Sequence, residues 1–423
     1  MTTELTKQQV IERIPAQADI VLPLTNGEPN LLLDYLEEAQ EQLQEVRVHQ
    51  LLALKNRSYM ANEASTHLKL ISYFLSGANR KEFHQGATDL MPNNFHEVPK
   101  IIRKVSRNMV VFAVVSPMDE HGYFSLGTQA DIVSEFIGKV PFIVEVNEHM
   151  PRTFGQNQIH KNQIEGYVVN HQSLVSEEPA PVSELDMKIA SYVAERIQDG
   201  DTLQIGIGGI PNAVVSQLKT HRHLGIHTEM FVDGIIDLVE AGAIDGSQKF
   251  TNQGKMIATF AHGSKRLYDF IHGNPALQFL PVSMVNDPRE IGKEENMISI
   301  NATTEVDLYG QCASETVAGR YYSSTGGQAD FARGVRFSKN GKGFITMTST
   351  VKNGEMSRIK LALTPGSIVT TNKNDVDHIV TEYGVAEMFG RPISERAEQL
   401  ISIAHPNFRD ELRFEAKKMG LLV

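Results

Sequence analysis

Short apolar runs alternate with longer amphipathic segments along nearly the whole chain, the pattern that strands covered by helices produce. In the first half, "ADIVLPL" (18–24), "VRVHQLLAL" (46–54), "MVVFAVVS" (109–116) and "PFIVEVN" (141–147) read as buried strands. A second series follows: "TLQIGIG" (202–208), "IHTEMFV" (226–232), "KMIATFA" (255–261), "LQFLPVSMV" (277–285), "GSIVTT" (366–371) and "DHIVTEYG" (377–384). Between them lies "SEEPAPVSELD" (176–186), whose Pro, Ser and acidic residues mark a linker. The chain is therefore expected to form two α/β domains, 1–180 and 181–423. After the linker, Met187, Ile189, Ala190, Val193, Ala194 and Ile197 recur at helical spacing, with Gly200 as the expected C-cap. Two similar α/β halves facing each other would place a ligand cleft between them. No period of about 20–50 residues recurs, which excludes solenoids and propellers.

Composition narrows the classes. The 423 residues are 41% hydrophobic and 22% charged, enough for sizeable cores in two domains. A net charge of −11 disfavours a general nucleic-acid or anionic-membrane surface, but leaves room for a local pocket holding one anionic ligand. The single cysteine, Cys312, excludes an internal disulfide and a multi-cysteine zinc site, and fits a reducing cytosol. The N-terminal stretch lacks a signal-type apolar core, and no run approaches the roughly 20 apolar residues of a membrane span. A cytoplasmic protein is expected.

Candidate chemistry centres on polar residues set in apolar runs. "LGIHTEMFVDGIIDL" (224–238) carries Glu229 beside His227 and Thr228, either as an edge-strand surface residue or as a group that reacts. "IGIGGIPNAVV" (205–215) ends a strand and opens a helix. Gly206, Gly208 and Gly209, with Ile210 and with Pro211 in the first helical turn, would leave backbone N–H groups for an anion, or simply make a tight turn. "SSTGGQADFARG" (323–334) offers Gly326 and Gly327 as a second place of close backbone approach. Asn286 follows an expected strand, where its amide either donates to a carbonyl or makes an Asx-turn. In "INATTEVDLYGQ" (300–311), Glu305 and Asp307 share a face of an expected strand with one wet side, which favours a structural role. The scattered histidines form no metal-binding pattern, and there is no serine-hydrolase elbow. Glutamate is left as the nucleophile, suited to an activated carbonyl such as a thioester.

At these motifs the chain resembles the acetyl-CoA hydrolase/transferase family, which includes 4-hydroxybutyrate, butyrate:acetate and succinate:acetate CoA-transferases. "VRVHQLLAL", "MPRTFG", "GIGGIPNAV", "GIHTEMFVDGIIDLVEAGAI", "NATTEVDLYGQ", "TGGQADFARG" and the block 357–412 carry the likeness in order over nearly the full length. The resemblance implies two related open CoA-transferase domains with the active site in their cleft. It also implies a ping-pong transfer of coenzyme A from a short-chain acyl-CoA to a carboxylic acid through a glutamyl-CoA thioester. Glu229 matches the family's nucleophile, and Asn286, Gly326 and Gly327 match the donors around the thioester oxygen. Gly206, Gly208, Gly209, Ile210, Pro211 and Gln328 fall in stretches expected to line the coenzyme A or acyl site. Coenzyme A would be a substrate, with no tightly bound cofactor or metal, and the enzyme a homo-oligomer. Ser324 stands where the family commonly has glycine. An acyl-CoA hydrolase is the alternative on the same fold, Glu305 the rival nucleophile, and a non-enzymatic nucleotide-binding protein the reading from another class.

Overall fold

The structure, a computed structural model, describes residues 3–61 and 67–422. It divides into two compact units, one of Met1–Glu177 with Ile257–Val285, the other of Glu178–Met256 with Asn286–Val423. The cut expected at 180/181 lies close to the first of these boundaries, and Ile257–Val285 groups with the first unit across it. The first crossing runs through exposed polar chain, whereas the second passes at the start of the buried strand Met256–Ala261 and so has no compositional mark.

The main sheet of the first unit has seven strands: β1 (Ala18–Val21), β2 (Val46–Gln50), β3 (Leu68–Ser72), β4 (Asp89–Leu90), β5 (Asn108–Val115), β6 (Phe142–Val146) and β7 (Gly166–Val169). They run in the order β7-β6-β5-β1-β2-β3-β4, every pair parallel. Burial on both faces is why β1, β5 and β6 are nearly continuously apolar rather than alternating. Polar exceptions pin the register. Asp19 lies opposite Arg47 and accepts from its Nε, while His49 bridges Asp19 Oδ1 (2.8 Å) and the Tyr73 hydroxyl (2.9 Å).

The second unit contains β8 (Thr202–Ile205), β9 (Gly225–Phe231), β10 (Met297–Ala302), β11 (Glu305–Asp307), β12 (Lys342–Thr346), β13 (His378–Thr381) and β14 (Gly384–Glu387). Its main sheet runs β14-β13-β12-β10-β8-β9, parallel except for the β13–β14 hairpin. Three helices matter for the site: α1 (Glu184–Ala194), α2 (Gly209–Gln217) and α3 (Gln328–Phe337). Helix α1 begins with a capping box between Ser183 and Asp186, and buries Ile189, Ala190 and Val193. It stops at Ala194, earlier than the spacing suggested. Gly200 is therefore no cap but a left-handed residue (φ +85°) in the turn into β8, and Met187 is exposed.

Other expectations are corrected. Only Leu277–Phe279 of the run 277–285 is strand; Pro281 interrupts it, and Val282–Val285 is helical. "GSIVTT" forms no named strand and contributes one bridge, Thr371 to Cys312, after a turn at Gly366 (φ +88°). The stretch around Glu305 is not one strand with a wet face. The chain breaks between β10 and β11, and all three β11 residues are buried.

Candidate active site

Glu229 sits near the end of β9, which alternates Gly225, His227, Glu229 and Phe231 on one face with Ile226, Thr228 and Met230 on the other. Thr228 fixes that strand to β8. Its hydroxyl accepts from Ile205 N (3.2 Å) and lies 3.2 Å from the Met230 carbonyl. The carboxylate that results is held in place from two sides.

The first side is Asn286. It is fully buried, and its Nδ2 donates to Glu229 Oε2 at 2.6 Å. The reason for its placement is local. Asp287 caps the short helix Pro288–Ile291 by accepting from Arg289 N (2.8 Å), so the turn expected here belongs to Asp287. Asn286 is thereby freed for the carboxylate, and its Oδ1 has no hydrogen-bond partner.

The second side is Gly327, the residue before α3. A Cβ built there would overlap Glu229 Oε2 and lie 2.5 Å from Asn286 Nδ2. Gly327 has φ −95°, a conformation open to any residue, so the glycine is required by contact rather than by backbone geometry. Gly326 before it has φ +58°, where glycine is favoured. Gln328 is occupied elsewhere, donating to Ser314 Oγ (2.8 Å) and Thr371 Oγ1 (3.1 Å). Ser324 is buried, with its carbonyl 3.3 Å from the Ser323 hydroxyl.

Burial pushes the Glu229 carboxyl up to about 7; the Asn286 hydrogen bond opposes that rise and the charge of Asp330 adds to it. A carboxylate with a raised pKa is more basic and less stabilised than a solvated one, which suits it to attack a carbonyl. Sequence reasoning missed Asp330. Its one signal was an acidic residue in the first turn of a helix, which reads as ordinary dipole matching.

The loop after β8 is explained differently. The Gly206 N–H donates to Ile300 O (2.9 Å), so it is spent on the sheet and not left open to an anion. Gly209 is pressed against Asp186 Oδ2, 2.6 Å from where a Cβ would stand. Gly208 has φ +114°, open space on its Cβ side and an exposed Ile207 before it, while Ile210 and Pro211 are buried in α2. The loop is thus built by packing, with its outward part at Ile207–Gly208.

Glu305, the rival carboxylate, is fully engaged. It accepts from Thr364 N (2.9 Å), Thr364 Oγ1 (2.7 Å) and Ser367 Oγ (2.7 Å). Cys312 is buried and its thiol is pushed well above the usual range by burial, which leaves it inert as a nucleophile. Among the described residues no group of three or more His, Cys, Asp or Glu is arranged to hold a metal, and no helix is long and apolar enough to cross a membrane.

Two α/β units with large parallel-rich sheets, one of them presenting a partly buried glutamate to an amide donor and a glycine backbone, share the architecture of CoA-transferases of known structure. Residues 5–178 match the acetyl-CoA hydrolase/transferase N-terminal domain and residues 263–416 the C-terminal domain of the same family, and the chain belongs to that family. The succinyl-CoA:cyclohexane-1-carboxylate CoA transferase of Geobacter metallireducens is 44% identical over 402 residues, 95% of this chain and 92% of that one. The 4-hydroxybutyrate coenzyme A transferase of Clostridium kluyveri is 37% identical over 416 residues, 98% and 97% of the two chains. The crystal structure of RipA from Yersinia pestis superposes with a TM-score of 0.93 at 34% identity, covering 99% of this chain and 98% of that one. The chain is accordingly a CoA-transferase.

Proposed function

We propose that the protein moves coenzyme A between a short-chain acyl-CoA, such as acetyl-CoA, and a carboxylic acid of butyrate or 4-hydroxybutyrate size, with Glu229 as the nucleophile. The observation that carries this reading is the Asn286–Glu229–Gly327 contact around a carboxyl whose pKa is raised to about 7. Coenzyme A is a substrate in this scheme.

In this scheme the two carboxylate oxygens have different tasks. Oε2 is bound to Asn286 Nδ2 and crowded by Gly327, which leaves Oε1 to attack the acyl carbonyl. Oε1 bonds to the acyl carbon, the C–S bond breaks, and the coenzyme A thiolate leaves an acyl-glutamyl anhydride behind. That thiolate then attacks the Glu229 carbonyl carbon. Negative charge builds on Oε2, where the Asn286 amide already points, and the acyl group departs as a carboxylate carrying Oε1. The products are a glutamyl-CoA thioester and a free acid. A second carboxylate reverses the steps and leaves as its CoA thioester.

The test is intact-protein mass spectrometry after incubation with acetyl-CoA, with and without borohydride, on the native protein and on Glu229→Gln. Borohydride reduces a glutamyl thioester to the alcohol and lowers the mass by about 14 Da relative to the unreacted enzyme. A reduction mapped to Glu229 and absent from the variant supports the reading. A label at Glu305, or turnover that survives in Glu229→Gln, overturns it.

A further inference from the structure

Asp330 is a charged group beside the nucleophile that the steps above leave unused. Two contacts bracket it. Gly327 meets the Glu229 carboxylate, and the ring of Phe331, the next residue after Asp330, stands 6.2 Å from the ring of His227, two residues before Glu229 on the same face of β9. Asp330 lies between these contacts in the first turn of α3, about 5 Å along the helix from Gly327, and is 2% exposed. The strand and the helix N-terminus are packed together there, so the carboxylate of Asp330 acts on Glu229 through little water. Asn286 on the other side is neutral.

We infer that Asp330 is a positioning residue whose charge drives Glu229 from the free carboxylate toward the covalent thioester. This inference rests on the function proposed above. In the half-reaction the acyl C–S bond breaks, the glutamyl C–S bond forms, and one glutamate oxygen leaves with the acyl group. The negative charge that began on Glu229 therefore ends on the departing carboxylate, which carries it into solvent. The glutamyl thioester left beside Asp330 is neutral. Repulsion raises the free energy of the resting enzyme, leaves the thioester enzyme untouched, and so shifts the half-reaction equilibrium toward stored coenzyme A. Asn286 acts in the opposite direction, because it stabilises the same anion.

The experiment uses the full chain at one fixed ratio of acetyl-CoA to acetate, with an acid quench and intact-mass readout of the coenzyme A adduct. Asp330→Asn is expected to lower the ratio of thioester to free enzyme about three- to tenfold. Asp330→Glu, which keeps the charge, should stay near the native ratio. The acid limb of kcat/KM, set in the native enzyme by a Glu229 carboxyl near pH 7, should move lower in Asp330→Asn. Among the described residues, the charge that acts on Glu229 is that of Asp330 on α3, while His227 is the titratable residue on the same face of β9, so the limb is also recorded in His227→Gln, where the Asp330 effect should persist. An unchanged adduct ratio and an unmoved limb in Asp330→Asn overturn the inference, as does an Asp330→Glu variant that behaves like Asp330→Asn. Should Asp330→Asn fail to fold, Asp330→Ser is the second neutral variant with the same expected shift. Absence of any adduct on Glu229 in the native enzyme would overturn the parent reading, a result seen before any variant is made.

Discussion

Glu229 and Glu305 lie in the same unit, both in strands and both in stretches with a family signature, yet their surroundings differ in one decisive respect. Glu305 is met by three donors, two hydroxyls and a backbone N–H, all on the segment from Thr364 to Ser367. It ties that loop to β11 and its lone pairs are spent. Glu229 has Asn286 as a single amide donor, a glycine backbone pressed against the same oxygen, and the charge of Asp330 nearby. The first carboxylate has three donors and the second only one, and burial makes the anionic form of the second costly. The reactivity proposed for Glu229 rests on that under-satisfaction, not on the presence of a glutamate in an apolar run.

The strongest way to break the comparison is to exchange the two carboxylates for amides in turn. Glu229→Gln should lower kcat by at least about 10³-fold, because the amide has no lone pair of comparable nucleophilicity. The same variant should be more heat-stable than the native protein above pH 7. The raised pKa means that folding favours the protonated form, so the stability Glu229 contributes is complete below about 4.5 and is lost as pH rises through about 7. Calorimetry at pH 4.5 and pH 8 checks the sign: the gap in Tm should open at the higher pH.

Gly327→Ala comes next. The new Cβ would meet the far end of the Glu229 side chain and the Asn286 amide, which can move, and φ at this position suits alanine. The fold should hold with little change in Tm while the displaced carboxylate costs about 10²-fold in kcat. A large fall in Tm with full activity per folded molecule would place the glycine's role in packing instead.

Asn286→Ala should lower kcat about ten- to a hundredfold. It should also move the acid limb of kcat/KM above pH 7, since the lost hydrogen bond had favoured the anion. That shift is opposite in sign to the one expected of Asp330→Asn, and the pair of pH profiles separates donor from repeller. The smallest catalytic effect belongs to Glu305→Gln, which should leave kcat of the folded enzyme unchanged and cost about 1–3 kcal/mol of stability, read by urea unfolding.

Much of this was legible in the chain itself. Apolar runs over β1, β2, β5, β6, β8 and β9 fixed the α/β class because strands covered on both faces must be apolar throughout. The Pro- and acid-rich stretch at 176–186 marked one domain crossing because exposed linkers have that composition. The placement of Glu229 in an apolar strand was visible for the same reason, since a charge there is out of keeping with its neighbours.

What the sequence left open was decided by contacts between residues far apart in the chain. Whether Asn286 caps a turn or holds a carboxylate depends on Asp287 taking the cap and on β9 bringing Glu229, 57 positions away, to within 2.6 Å. Whether Glu305 reacts depends on a loop 59 to 62 residues downstream that saturates it. Asp330 looked like a helix-start acid and became a neighbour of Glu229 only when the N-terminal end of α3 met β9. Periodicity is written by burial, which acts on each segment separately, and so it survives in the sequence. The pKa of a carboxylate is set by which dipoles and charges lie within a few ångströms, and only the tertiary structure chooses those.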